Sequence, residues 1–93
     1  ILLCRDCLVH LSYQDIEKVF ENIRRSDIPY LLTTTFPECD ENINITTGDW
    51  RIINLEKAPF NLPKPIKIIN EKCSEANGSY ADKSLGLWKI QQL

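Results

Sequence analysis

The chain opens on a continuous apolar run, Ile1-Leu2-Leu3-Cys4. Without polar alternation, such a run predicts a strand buried on both faces, as in a parallel sheet. Arg5-Asp6 ends it with two opposite charges, and Leu8-Val9-His10-Leu11 reads as an apolar turn packing down on that sheet. Ser12 then opens a helix, its hydroxyl accepting from a free backbone N–H, with Asp15 resembling the acidic member of a capping box. Ile16, Val19, Phe20 and Ile23 keep the spacing of one buried helical face, and Glu17, Lys18, Glu21, Arg24 and Arg25 fall largely opposite. Arg24 and Arg25 suit the negative end of the helix dipole, and Pro29 stops the helix and pushes Ile28 toward extended geometry. Tyr30 to Phe36, rich in aromatic and β-branched residues, predicts a second strand. Strand, helix and strand make a βαβ unit, whose crossover is right-handed in about 98 % of cases.

From Pro37 to Pro65 the pattern is irregular and rich in Asn and Pro. Trp50, Ile52, Ile53, Leu55 and Phe60 nevertheless predict an ordered segment, because so much apolar surface does not stay in water, and Trp50 to Asn54 is expected to form a short strand or turn. Ile66 to Cys73 predicts a third strand, Ser74 to Lys83 a polar loop, and Ser84 to Ile90 a last strand. In that last strand Leu85 and Leu87 face one side, Trp88 and Ile90 the other. The two final strands are close enough in sequence to form an antiparallel hairpin.

With 93 residues the chain is a single domain, and its net charge of −2 makes it a poor nucleic-acid binder. Every apolar run is far below the ~20 residues of a membrane-spanning helix. The chain begins at Ile1 with no Met and no signal-peptide pattern, so a cytoplasmic location is expected. Opening inside an apolar run, it is expected to be part of something longer.

Cys4 and Cys7 have the C-x-x-C spacing of redox and zinc sites, but Cys39 and Cys73 are isolated and supply no second pair. The plainer reading is four small apolar residues in a reducing compartment. Asn44-Ile45-Thr46 and Asn77-Gly78-Ser79 match the glycosylation pattern and, without a secretory signal, are read as chance.

Three stretches carry a resemblance: Leu3-Cys-Arg-Asp-Cys-Leu-Val-His-Leu-Ser12, Tyr30-Leu-Leu-Thr-Thr-Thr-Phe-Pro37 and Gly86-Leu-Trp-Lys-Ile90. Together they resemble the C-terminal half of a class I S-adenosylmethionine-dependent methyltransferase domain. In that family the fourth strand ends in a polar or acidic motif. A helix and the fifth strand follow, then a segment ending in an antiparallel pair. The resemblance covers essentially the whole chain and implies an α/β fold, a partial Rossmann-like sheet lacking the N-terminal half of the domain. The family's Gly-rich cofactor loop has no counterpart here: Gly48, Gly78 and Gly86 form no G-x-G. The isolated chain is therefore expected neither to bind S-adenosylmethionine nor to turn over.

The resemblance implies that residues just past the first strand face cofactor and substrate, as ligands do at the carboxyl ends of strands in open α/β sheets. Carried over, it puts Cys4 and Arg5 on the cofactor side and makes Asp6 a catalytic acid-base or orienting group. The alternative for Arg5 and Asp6 is a local ion pair closing the strand end. His10, the only histidine, falls at the mouth of the site as a possible general base, or is a packed histidine near a helix start. Thr35, ending the second strand, is expected to reach the substrate. Gly48-Asp49-Trp50-Arg51 is expected to form a substrate lid, with Trp50 and Arg51 as contacts, or else a Gly turn with Trp50 anchored in the core. No basic patch favours nucleic acid, so a small-molecule acceptor is expected. Two rival classes stand beside the methyltransferase: a non-catalytic α/β interaction module that self-associates through the edge of the first strand, and a redox protein using Cys4 and Cys7.

Overall fold

Ser12 caps the single α-helix, α1 (Tyr13–Arg24), its hydroxyl accepting from the Asp15 N–H at 3.1 Å. The reciprocal half of a capping box is not made. The Ser12 N–H donates instead to Thr47 Oγ1 at 3.0 Å, the Tyr13 N–H donates to Asn44 Oδ1 at 2.9 Å, and Thr47 also donates to the Asp15 carboxylate. The long connection after the second strand thus closes the helix start, satisfying N–H groups that have no partner within the helix. The helix ends at Arg24, earlier than Pro29 requires, in a turn where Ser26 Oγ donates to the Ile23 carbonyl at 2.6 Å.

The computed structural model describes residues 1–93 and shows an α/β fold with one helix and a mixed four-stranded sheet. The strands are β1 (Leu2–Cys4), β2 (Tyr30–Thr35), β3 (Lys67–Asn70) and β4 (Ser84–Lys89), in the order β1-β2-β4-β3. β1 pairs parallel with β2, with Leu2 opposite Leu31 and Cys4 opposite Thr33. β4 runs antiparallel to both β2 and β3, with Thr33 opposite Gly86 and Ile68 opposite Gly86 from the other side. The hairpin of the last two strands is therefore present, and β4 also forms the bridge to the βαβ unit.

The register sorts the sheet into two faces. Leu31, Thr33 and Thr35 lie beside Trp88, Gly86 and Ser84, and all six are buried. On this side Ile16, Phe20 and Ile23 of α1 join one core with Leu31, Trp88 and Ile90, and with Ile53, Leu55 and Leu62 of the long connection. The other face carries Leu32, Leu85 and Leu87, only half-buried. β1 is not buried on both faces as its unbroken apolar run predicts. It is an edge strand with a single neighbour, and Ile1 and Leu3 are 75 % and 59 % exposed.

Residues Trp50 to Asn54 form no strand. Backbone and side-chain bonds together hold them: the Arg51 N–H donates to the Val9 carbonyl at 3.1 Å, the Phe36 N–H donates to the Ile53 carbonyl at 2.7 Å, Asn42 Nδ2 donates to the Asn54 carbonyl at 2.8 Å, the Asn54 N–H donates back to Asn42 Oδ1 at 2.8 Å, and buried Asn54 donates to the Pro37 and Cys39 carbonyls. Side-chain amides thus complete what a sheet ladder would otherwise satisfy in the buried backbone. No helix is long and apolar enough to cross a membrane.

Candidate functional site

The chain leaves β1 through a sharp reversal at Asp6, whose φ of +54° is left-handed and uncommon for a residue other than glycine. Two threonines hold the reversal in place. Thr33 Oγ1 donates to the Cys4 carbonyl at 2.8 Å, and the Asp6 N–H donates to Thr34 Oγ1 at 2.8 Å. The Thr-Thr-Thr run of β2 thus fixes where the Asp6 carboxylate stands.

Around that carboxylate lies a ring of alternating charge. Lys83 Nζ is 2.6 Å from Asp6 Oδ1 and 3.8 Å from Glu71 Oε2, and Arg5 Nε is 2.6 Å from Glu71 Oε1 and 3.8 Å from Asp6 Oδ2. The hydrogen bond to Asp6 raises the Lys83 pKa above the ordinary lysine value, against the opposing effect of burial. Glu71 Oε2 is buried and has no hydrogen-bond partner, only the more distant Lys83 ammonium.

His10 sits on the turn between β1 and α1. Its Nδ1 lies 2.9 Å from the Asp49 carbonyl oxygen. A carbonyl can only accept, so Nδ1 is the donor, and in the neutral form of the ring this tautomer leaves the lone pair on Nε2. The Gly48 N–H donates to the His10 carbonyl at 2.9 Å, which locks the two segments together. Trp50 follows directly, 44 % exposed, its ring centroid 5.2 Å from that of Tyr80 at an interplanar angle of 68°. Tyr80 in turn packs edge-on against buried Phe36, 6.2 Å away.

These groups line one cleft of about 280 Å³ with Asp6, His10, Trp50, Tyr80 and Lys83 on its walls, together with Phe36, Cys73 and Glu75. It opens past the carboxyl ends of the parallel strands β1 and β2. A larger cleft of about 360 Å³ lies at the opposite end of the sheet, between the α1–β2 turn and the end of β4. Arg24, Asp27 and Lys89 line it, with no histidine, cysteine or tryptophan. The smaller cleft is the one lined by a histidine, a cysteine and a tryptophan.

Of the residues expected at the site, the structure brings together Asp6, His10 and Trp50. Arg5 joins the charge ring from outside the cleft lining. Cys4 is half-buried with its thiol pKa pushed up to about 11, by burial first and then by the neighbouring Cys7 thiol. Thr35 does not reach the cleft: it is 1 % exposed and its Oγ1 accepts from the Leu55 N–H at 3.2 Å. Arg51 is also turned inward, 3 % exposed. Its guanidinium donates to the Ile43, Leu8 and Leu11 carbonyls at 3.0, 2.8 and 2.7 Å and stacks 5.6 Å from the Tyr13 ring. Of the expected lid pair, only Trp50 is available to a ligand.

Sequence inspection missed Lys83, Glu71, Tyr80 and Glu75. One signal for the first two was present. The register that sets Asn70 opposite Ser84 brings Glu71 beside Lys83, and the Glu71 N–H donates to the Lys83 carbonyl at 3.0 Å. Opposite charges facing one another across an antiparallel pair are a favourable arrangement.

No family model, curated protein or solved structure matches the chain.

Proposed function

We propose that this chain is the acceptor-side portion of an S-adenosylmethionine-dependent methyltransferase acting on a small molecule. One observation carries the proposal: Asp6, His10 and Trp50, from separate segments, meet in one cleft at the carboxyl ends of parallel strands. The antiparallel closing pair, β3 and β4, is what the resemblance implies and supports it further.

The Cys4 carbonyl accepts from Thr33 Oγ1, and Arg5 Nε is paired with Glu71 at 2.6 Å. In this reading the donor is held by the rest of the domain, and the work of these residues is on the acceptor. Trp50 and Tyr80 offer ring surface to it. The Asp6 carboxylate, occupied on Oδ1 by Lys83, serves as a fixed negative charge that orients it. His10 Nε2 receives the proton that an N–H or O–H acceptor gives up, with Nδ1 held by Asp49. Positioning supplies most of the rate in such a displacement.

The test is calorimetry with S-adenosylmethionine on two samples: the 93-residue chain, and the product of the full reading frame that encodes it. Micromolar binding by the longer product and none by the 93 residues is expected. Micromolar binding to the 93 residues alone, or none to the longer product, sinks the proposal.

A second reading, the interaction module, has its own observation. Both sheet edges show apolar residues, Ile1 and Leu3 on or beside β1 and Ile66, Ile68 and Ile69 on or beside β3. Exposed strand edges recruit further strands. Light scattering at high protein concentration separates the two: a concentration-dependent dimer favours the module, and a clean monomer counts against it.

A further inference from the structure

Building on the proposed acceptor role of the cleft, we infer that its ligand is a small amine, bound as its cation against Trp50, Tyr80 and Glu75. Charge balance is the first reason. Arg5 and Lys83 are matched one for one by Asp6 and Glu71 within the ring. Glu75 lines the cleft, takes part in none of these ion pairs and is left as the surplus charge. An anionic ligand finds no unpaired cation on the cleft wall, because Lys83 lies between two carboxylates and Arg5, paired with Glu71, stands outside the lining. An ammonium finds Glu75.

The aromatic wall is the second reason. Trp50 is 44 % exposed and stands edge-to-face with Tyr80, so ring surface borders the same cleft as the surplus carboxylate. The negative face of an indole or phenol ring attracts an organic cation, and tryptophan does so best. His10 is the third reason: Nε2 is an acceptor, suited to an N–H and useless to a carboxylate. Size sets the limit. About 280 Å³ is just under the usual range of ligand pockets, roughly 300–1,000 Å³, so the ligand is smaller than a drug-sized molecule.

The experiment is an NMR titration of the 93-residue chain with three probes of one shape: 2-phenylethylamine, 2-phenylethanol and 3-phenylpropionate. The amine is expected to shift the Trp50 indole and His10 ring signals saturably. It should bind roughly fivefold or more tightly than the alcohol, with the carboxylate weakest. Glu75→Gln, at an exposed position, is expected to erase most of the amine's advantage while leaving the rest of the amide spectrum unchanged. Equal affinities, shifts confined to the cleft at Tyr30 and Lys89, or no shifts up to about 10 mM probe each overturn the inference. The two proposals fail separately. Amine binding without methyl transfer by the full-frame product removes the methyltransferase and leaves the amine cleft. Methyl transfer only to hydroxyl or carboxylate acceptors does the opposite.

Discussion

The Lys83 ammonium lies 2.6 Å from Asp6 Oδ1, joining the approach to the last strand to the exit from the first. Each residue is placed by backbone geometry set elsewhere: Asp6 by a left-handed reversal pinned to Thr34, Lys83 by its pairing beside Glu71. The ion pair is thus a clamp between β1 and β4, strands that are not neighbours in the sheet. It also gives Asp6 a fixed orientation in the cleft.

Alkaline pH is expected to weaken the fold. The hydrogen bond to Asp6 raises the Lys83 pKa, so its stabilisation is complete below the ordinary lysine value and lost as pH rises through the folded-state value. Cys4, raised from 9.0 to about 11 mainly by burial, acts in the same direction over that interval, because the unfolded chain loses the thiol proton first. Tyr13, raised chiefly by burial, adds to the trend. Urea midpoints measured from pH 8 to above 10.5 should fall steadily, and Cys4→Ser should flatten the earlier part of that fall. A midpoint that stays level across the range contradicts the assignment.

Cys4 and Cys7 should separate cleanly under thiol labelling. The thiolate is the reactive form, and a thiol at about 11 is almost wholly protonated at neutral pH, whereas Cys7 is exposed. Maleimide at pH 7 followed by peptide mass mapping is expected to modify Cys7 well before Cys4. This ordering also weighs against the redox reading, which needs a lowered thiol pKa in the pair. Rapid Cys4 labelling would reinstate it.

The helix and strands were legible in the sequence because their signals are local. The spacing of Ile16, Phe20 and Ile23 marks the buried face of α1, and the β-branched run after Tyr30 marks β2. What was not local was not legible. The insertion of β4 between β2 and β3 depends on burying Trp88, whose indole N–H donates to the Pro63 carbonyl at 2.7 Å. At the site, Asp6 and His10 stood out as polar residues flanking an apolar strand and turn. Thr35 and Arg51 looked equally chemical, but their partners are backbone groups of distant segments that no sequence motif announces. Lys83 and Tyr80 lay in a polar stretch, and the structure places the first by the β3–β4 register and the second by its packing on Trp50 and Phe36.

Arg51 should therefore matter to folding more than to binding. Its guanidinium satisfies three carbonyls from two segments. Removing it leaves the buried Leu8 carbonyl and the part-buried Ile43 and Leu11 carbonyls without this donor, a loss of about 1–3 kcal/mol for an acceptor that water cannot reach. Arg51→Ala is expected to lose about 2–4 kcal/mol in urea denaturation. Arg51→Lys should recover only part, since an ammonium cannot reproduce the planar fork of donors. If Arg51→Ala proves neutral, the inward placement of the side chain is wrong.

Gly86 is required by its neighbour two residues on. A Cβ built there meets the Trp88 ring at 2.5 and 2.6 Å, and Trp88 is fully buried with its indole N–H engaged. The ring cannot step aside without breaking the core, so Gly86→Ala is an overpacking substitution expected to cost about 1–3 kcal/mol or more. Thermal unfolding of Gly86→Ala beside Gly78→Ala tests the point, because the second site has open space around it and pays only for its left-handed φ of +84°. A loss at Gly86→Ala no larger than that at Gly78→Ala would contradict the clash with Trp88.

His10 provides the sharpest test of the chemistry. Its Nδ1–H is tied to the Asp49 carbonyl, so Nε2 is the only ring nitrogen able to take a proton from an acceptor. In an assay of the proposed methyl transfer by the full-frame product, His10→Gln should keep some of the ring's packing and remove that proton acceptor, with the rate expected to fall roughly 10²–10⁴-fold. A merely structural role predicts something different: lowered stability and a proportional loss of folded protein, with kcat per folded molecule unchanged. If kcat per folded molecule survives His10→Gln unchanged, the proton goes elsewhere, and Asp6, the carboxylate on the same cleft wall, becomes the next residue to mutate.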